Sequence, residues 1–542
     1  MNSTQPDSLF FKRPDVFYTI LVPILLLLPL DYFLLTDNSI LPWDQAHYAN
    51  TALRVTATLT ESPSAFVRTM LNPIPDRMPG LAWIAAPFAP LGSALDNPAR
   101  GVLLVTLILN NINLLLLSYI LHKHGYAPVA HNATIILATG STLLVGIGQT
   151  FFVEPLMLTG ILWLIAMTRG CSFESPTAML NGLLPILFAI LAKDMAPVYM
   201  ILPSVLPFVS LIFPSHSRPT IALWPTIRIH RTTLVLWLLF LVWVLQMGPA
   251  IIRRAAASST GSVASLYGSH SGITAKARHW TSQLAIGTLP ILEQWDTDII
   301  IILVIPIFFI ALRYRNTFNT NLRNRAYIIS VLQISIIICI FSLADNEDSR
   351  FLYGILPYIF LIVATLIHSL VRPYAYIVCV LISLQYLHTY LYVFDIIPSY
   401  LQINTYIAQR LTSREPIANI QNLVSLTCTD SANTYYNVVG VDLPNLNQNS
   451  MAAYSLLRSW PRLPHCTYTS LGYAENSSDN ALKWIATIRP SYIIFPSALP
   501  EYLDKDPFNQ VSRAVHYELN NSTHSSYTVF TVSPYTIFKH NL

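Results

Sequence analysis

At 542 residues, with 53% hydrophobic and 11% charged residues and a mean hydropathy of +0.49, the chain is too apolar for an ordinary soluble enzyme. The formal charge of +4 is spread along the chain without a long basic run, so composition gives a nucleic-acid partner no support. The chain reads as a multispanning membrane protein.

Apolar stretches of about 17 to 25 residues suffice to cross a bilayer. The first, 17–35, lacks a small-residue cleavage site and reads as a membrane helix rather than a signal peptide. Others follow at 99–121, 129–148, 152–168, 178–192, 196–213, 233–252, 298–312, 326–343, 351–370 and 374–394, making eleven crossings. Around Lys193 and Asp194 one long apolar stretch is interrupted, as two short helices or one long bent one.

Basic residues of short loops stay on the cytoplasmic side. With the N-terminus inside, that side collects Lys12, Arg13, Lys123, Arg169, Arg218, Arg228, Arg231, Arg313, Arg315, Arg323, Arg325 and Arg372, opposed only by Asp7, Asp15 and Glu174. The same alternation sends Asp44, Asp76, Glu154, Asp194, Asp296 and the loop Asp345–Arg350 to the outer face, in a periplasm or lumen. A bacterial inner membrane is the expected location. The expected fold class is a polytopic α-helical membrane protein with a C-terminal soluble α/β domain.

The first outer loop is long, 36–98, with helices expected over 45–60 and 81–88. After residue 397 the composition turns polar: YYNVVGVD (435–442), SYIIFP (491–496) and SYTVFTVSP (526–534) read as strands, SDNALKWIATIRP as a helix. The division expected is a membrane catalytic domain, 1–397, and an outer α/β domain, 398–542. Cys428 and Cys466 are the pair left in that domain once Cys171, Cys339 and Cys379 are assigned to an inner loop and two spans; a disulfide between them is compatible with an oxidising compartment.

The order of polar motifs resembles the GT-C superfamily of polyprenyl-phosphate-sugar glycosyltransferases, in the branch of the protein O-mannosyltransferases and the lipid A aminoarabinose transferases. Asp44 stands where the first-loop carboxylate stands, Asp76 and Arg77 match an acidic-basic pair before a proline, and Pro98-Ala99-Arg100 matches the Ala-Arg that opens the second span. VEPLML (153–158) resembles the stretch with the second acid, here Glu154; LAKDMAP (191–197) resembles Leu-Thr-Lys-Gly-Pro; SRFLYGILPYI (349–359) resembles Arg-Tyr-Leu-x-Pro, with Arg350 as its base. Two departures stand out. Met78-Pro79-Gly80 follows Arg77 where two prolines are usual, and Asp194 replaces a glycine.

The resemblance implies transfer of one sugar from a polyprenyl-phosphate donor to a glycan, lipid or protein acceptor, with inversion. A carboxylate near the anomeric carbon can take the acceptor proton, the role expected of Asp44. Fixed cations stabilise the departing phosphate, a task suited to Arg77, Lys193 and Arg350. Glu154 is expected to orient sugar or acceptor, and His47 and Tyr48 to line the substrate site. One histidine without partners at metal spacing gives no support for a metal, so no obligatory cofactor is expected.

Plainer readings stand beside these. Asp44 and Glu154 suit helix N-termini, Lys193 can snorkel to the headgroups, and Arg350 can pair locally with Asp345, Glu347 or Asp348. Trp43, Tyr48 and Trp83 can stack on a sugar or anchor helices at the interface. Asp31, an acid inside the first span, has no assigned role. The alternative function is a transporter or lipid flippase, for which ionisable groups near the bilayer midplane and repeated halves are expected.

Overall fold

The computed structural model describes residues 14–71, 77–94, 98–168, 176–205, 270–288, 322–396, 417–428, 435–460, 462–471, 475–506, 508–521 and 526–541, with isolated positions between 238 and 268. Asp76 and the expected span 298–312 lie outside the described residues, as does most of 233–252.

The apolar runs become helices: α1 (Pro14–Thr36), α6 (Pro98–Lys123), α7 (Pro128–Gly140), α8 (Thr142–Gly148), α9 (Glu154–Met167), α10 (Pro176–Ala192), α13 (Leu322–Ser342), α14 (Leu356–Ser369) and α15 (Arg372–Val393). Among the described residues five helices are long and apolar enough to cross a membrane, and α7 with α8 makes a sixth if the bent pair counts as one span. The chain is thus a multi-pass membrane protein. Tyr374, Ile377, Leu381 and Leu384 on α15 are exposed, as expected of a face turned to lipid.

The expected span 129–148 is broken. α7 and α8 meet at 53° across Ser141. The Ser141 hydroxyl accepts from the Leu144 amide and donates to the Gly287 carbonyl at 2.9 Å, while the freed Gly140 carbonyl accepts from Thr389 Oγ1 at 2.9 Å and Gln385 Nε2 at 3.3 Å. Side chains of other helices thus satisfy the backbone groups that a kink releases in an apolar medium. The interruption near Lys193 is a break too: α10 stops at Ala192 and α11 (Ala196–Tyr199) begins four residues later.

Between α1 and α6 the loop folds into α2 (Trp43–Glu61), α3 (Pro63–Leu71), α4 (Gly80–Ala85) and α5 (Ala89–Ala94). α2 buries Gln45, Ala46, Tyr48, Ala49, Ala52, Leu53, Val55 and Ala57. Its i, i+3, i+4 recurrence makes one apolar face against the membrane helices.

The C-terminal region contains a five-stranded sheet, β1 (Tyr435–Val439), β2 (Cys466–Ser470), β3 (Tyr492–Pro496), β4 (Tyr527–Val532) and β5 (Tyr535–His540), in the order β2-β1-β3-β5-β4. The first three run parallel, with Tyr435 opposite Cys466 and Asn437 opposite Tyr492; β5 is antiparallel to β3 and β4. Helices α16 (Ile417–Thr427), α17 (Gln448–Ser459), α18 (Ser478–Ile488) and α19 (Ser512–Asn521) accompany it. Cys428 and Cys466 form a disulfide, tying the end of α16 to β2.

The sheet region is not a loose appendage. α17 packs along α2. Ser450 donates to the Leu41 carbonyl at 2.8 Å, and the Leu41 amide donates to the Tyr454 hydroxyl at 3.3 Å. Ala453 and Leu456 join the hydrophobic core of the membrane helices, and Ile40 joins that of the sheet.

Candidate active site

Asp44 is placed by the sharp entry to α2. Pro42 is the N-cap and makes no side-chain cap, and Trp43 has φ of +37°, the left-handed region that costs a non-glycine residue energy. The capping reading of Asp44 is therefore overturned. The helix starts one residue before it, and its carboxylate oxygens are engaged elsewhere: Oδ1 is 3.0 Å from Arg77 Nη1 and Oδ2 is 3.7 Å from Arg350 Nη1.

Arg77 comes from the turn before α4. A Cβ on Gly80 would sit 2.6 Å from the Leu191 carbonyl oxygen, so glycine lets α4 touch the end of α10. That contact brings the Arg77 turn beside the Lys193 break. Arg77 also donates to the Tyr48 hydroxyl at 3.4 Å and lies over its ring, 5.5 Å from the centroid.

Arg350 comes from the other side, on a 3₁₀ turn, Ser349–Ile355, that opens α14. Asp348 caps this turn through the Arg350 amide and accepts from Arg350 Nε at 2.8 Å and Nη2 at 2.5 Å. Arg350 also covers the Phe152 ring at 4.8 Å. The local pairing expected of Arg350 is present, with Asp348, and the same guanidinium also reaches Asp44, so it bridges the two carboxylates. Two further contacts fix the turn: Tyr199 Oη donates to the Phe351 carbonyl at 2.6 Å, and Gly354 lies against the Tyr199 ring.

Glu154 opens α9 and is 1% exposed; Lys193 Nζ donates to its Oε1 at 2.7 Å. Lys193 does not snorkel to headgroups, because this carboxylate holds it, and it stands 4.7 Å over the Phe351 ring. The other oxygen, Oε2, is buried and has no hydrogen-bond partner among the described residues. Gln45 Oε1 accepts from the Phe151 amide at 3.1 Å, binding α2 to the turn that leads into α9.

Burial alone would raise the Asp44 carboxyl, but the Arg77 and Arg350 guanidiniums, with a smaller part from His47, hold it at about 2. Burial likewise would raise Asp348, and Arg350 overrides it to lower the carboxyl. Asp442, just after β1, shows the opposite balance. Burial first, then the Asp506 and Asp44 charges, raise it to about 6, against a hydrogen bond from Trp43.

The sequence-predicted residues Asp44, His47, Tyr48, Arg77, Glu154, Lys193 and Arg350 thus come together at one end of the helices, next to the sheet region. Asp76 lies outside the described residues. Asp348 and Phe152 complete the cluster. Sequence reasoning missed Asp442, which reaches Trp43 across about four hundred residues of chain and carries no motif. Asp31, left without a role, accepts from Asn111 Nδ2 at 3.0 and 3.1 Å. The group of His and Glu side chains at metal-ligand spacing among the described residues is His270, His279 and Glu347, and does not include His47.

No family model matches the sequence, and no curated protein does. Among solved structures, the apo state of ArnT from Cupriavidus metallidurans is similar, with a TM-score of 0.56 and 12% identity over 98% of this chain and 99% of that one. The form of ArnT bound to undecaprenyl phosphate gives 0.57 and 12% over 97% and 98%. With nearly the whole length of both chains aligned, this protein has the fold that ArnT shows.

Proposed function

We propose that the protein is an inverting glycosyltransferase that moves one sugar from a polyprenyl-phosphate carrier to an acceptor at the outer, periplasmic or luminal, face of the membrane. The observation that carries the reading is the Asp44 carboxylate held between two guanidiniums that arrive from different elements, 3.0 and 3.7 Å away. The undecaprenyl phosphate bound in ArnT, a protein of the same fold, supports a lipid phosphate as the donor's leaving group. Residues 1–397 are the catalytic part, and 398–542 shape the acceptor side.

The resting ion pairs suggest how the base is switched. A carboxylate at about 2 is too weak a base to take a hydroxyl proton efficiently, because an effective base needs a value nearer the operating pH. A lipid phosphate entering the site competes with Asp44 for Arg77 and Arg350, and arginine forks suit phosphate oxygens. As the guanidiniums turn to the phosphate, the larger influence left on Asp44 is burial, which acts in the other direction against the smaller pull of His47. The carboxylate then gains basicity when the donor is in place.

In the transfer step Asp44 takes the acceptor hydroxyl proton, the acceptor oxygen bonds to the anomeric carbon, and the sugar–phosphate bond breaks with its electron pair going to the lipid phosphate. Arg77, Arg350 and Lys193 face the negative charge that develops there. Glu154 Oε2, buried and without a hydrogen-bond partner among the described residues, accepts a hydrogen bond from a sugar or acceptor hydroxyl. Tyr48 and His47 line the acceptor side of Asp44. This single displacement inverts the anomeric centre.

The test is transfer by purified protein in nanodiscs supplied with synthetic undecaprenyl-phosphate sugars and envelope acceptors, read as release of undecaprenyl phosphate coupled to a new glycosidic bond. Asp44→Asn, folded by size exclusion, is expected to lose at least about 100-fold in kcat. Wild-type turnover in that variant, or lipid flux without a new glycosidic bond, overturns the reading.

A further inference from the structure

Beside the Arg350 turn, three side chains that the transfer reaction does not use stand together. His270 precedes α12 (Ile273–Thr288), His279 lies within it, and Glu347 belongs to the loop after α13. Their ligand atoms all lie within 4.8 Å of one another. His270 Nδ1 is 2.8 Å from Glu347 Oε2, and the rings of His270 and His279 are 4.7 Å apart.

His279 provides the decisive atom. Its Nε2 is buried with no hydrogen-bond partner among the described residues, while the ring's hydrogen bond goes to the Glu347 backbone. A ring donating from one nitrogen to a carbonyl presents a lone pair on the other, the arrangement that orients histidines bound to metal ions. Left unpaired, such a buried polar atom costs about 1 to 3 kcal/mol.

We propose that His270, His279 and Glu347 bind a divalent zinc-like cation that fastens α12 to the Asp345–Arg350 loop. Two neutral imidazoles and one carboxylate are a donor set that suits zinc, with a fourth position left for water. In a tetrahedral site with bonds of about 2.1 Å the ligand atoms stand about 3.4 Å apart, so on binding His270 Nδ1 and Glu347 Oε2, now 2.8 Å apart, separate slightly while wider pairs, which lie within 4.8 Å, draw in. The His270 side chain is 40% exposed and gives the ion an entry path. Around this point Lys276 Nζ already donates to the Ala344 carbonyl and to Asp345 Oδ1, both at 2.8 Å. The cation adds a third fastening, one residue from Asp348, which holds Arg350.

The test needs no sugar transfer. Full-length protein purified in detergent is treated with a chelator, dialysed against zinc and then against buffer, and its metal content and Tm are measured. Wild type is expected to retain about one zinc per chain and to melt at higher temperature with zinc than with chelator. His279→Ala and Glu347→Gln are expected to retain almost none and to lose the zinc-dependent shift in Tm. His270→Ala, at the exposed position, gives the same reading if the buried variants fail to fold. Wild type without bound zinc, or a folded variant that still holds one per chain, overturns the proposal.

Discussion

The Glu154–Lys193 pair invites a double-mutant cycle. Its 2.7 Å contact is almost fully withdrawn from water, with side-chain exposures of 2% and 13%. In such a place the cost of removing one partner, about 3 to 5 kcal/mol, comes mainly from the charge left behind, whereas replacing both by apolar or neutral groups of similar size is close to neutral. The two singles differ in what remains. Glu154→Gln leaves Lys193 over the Phe351 ring, a contact that returns about 1 to 2 kcal/mol, so its cost lies near the lower end. Lys193→Met leaves a buried carboxylate whose Oε2 already lacks a partner among the described residues, so its cost lies near the upper end. The expected order of Tm, read by intrinsic tryptophan fluorescence in detergent, is wild type and the Glu154→Gln/Lys193→Met double variant highest, Glu154→Gln below them, Lys193→Met lowest. All three variants are expected to lose sugar transfer. A double variant no more stable than the worse single would refute the reasoning, because the two charges would then not compensate one another.

Two other outcomes follow from the same geometry. Asp442, raised to about 6 by burial, binds its proton more tightly in the folded chain, so its contribution to stability is present below about pH 4 and is lost as pH rises through about 6. Asp442→Asn should therefore be more stable than wild type at pH 8, by at most about 3 kcal/mol, and indistinguishable at pH 4; denaturation at both pH values checks this, and a pH-independent difference contradicts it. Gly354→Ala places a Cβ 2.5 Å from the Tyr199 ring, an overpacking that costs about 1 to 3 kcal/mol and pushes on the turn carrying Arg350. Both Tm and turnover are expected to fall, and an unchanged Tm would show that Tyr199 yields freely.

Much of the candidate site was legible because its members are polar residues in apolar surroundings, and such residues need a reason. Asp44, Arg77, Glu154, Lys193 and Arg350 stood out against helices of Leu, Ile and Phe, and the family resemblance ordered them. Their partners were less visible. Asp348 stood among three acids of one loop, and only the capping geometry of the 3₁₀ turn selects it over Asp345 and Glu347. Asp345 goes to Lys276 and Glu347 to His270. Asp44 looked like a helix cap because caps are read from local sequence, and nothing local says that Trp43 turns into the left-handed region. Strands β2 and β5 also escaped notice. CTYTS is short and polar on alternate positions, and YTIFKH follows so closely on β4 that the two read as a single run. The break at Ser141 was hidden within an apolar stretch, since what stabilises it is supplied by Gln385 and Thr389 from far along the chain.

The backbone of Leu41, three residues before Asp44, has both its amide and its carbonyl satisfied by α17. These two halves of the molecule are for that reason not interchangeable modules. A membrane portion expressed without its C-terminal partner would expose two backbone groups at the entrance to α2 and free the segment that aims the carboxylate. Grafting the sheet of a distant relative would succeed only if the graft brought its own hydroxyls to the same two atoms.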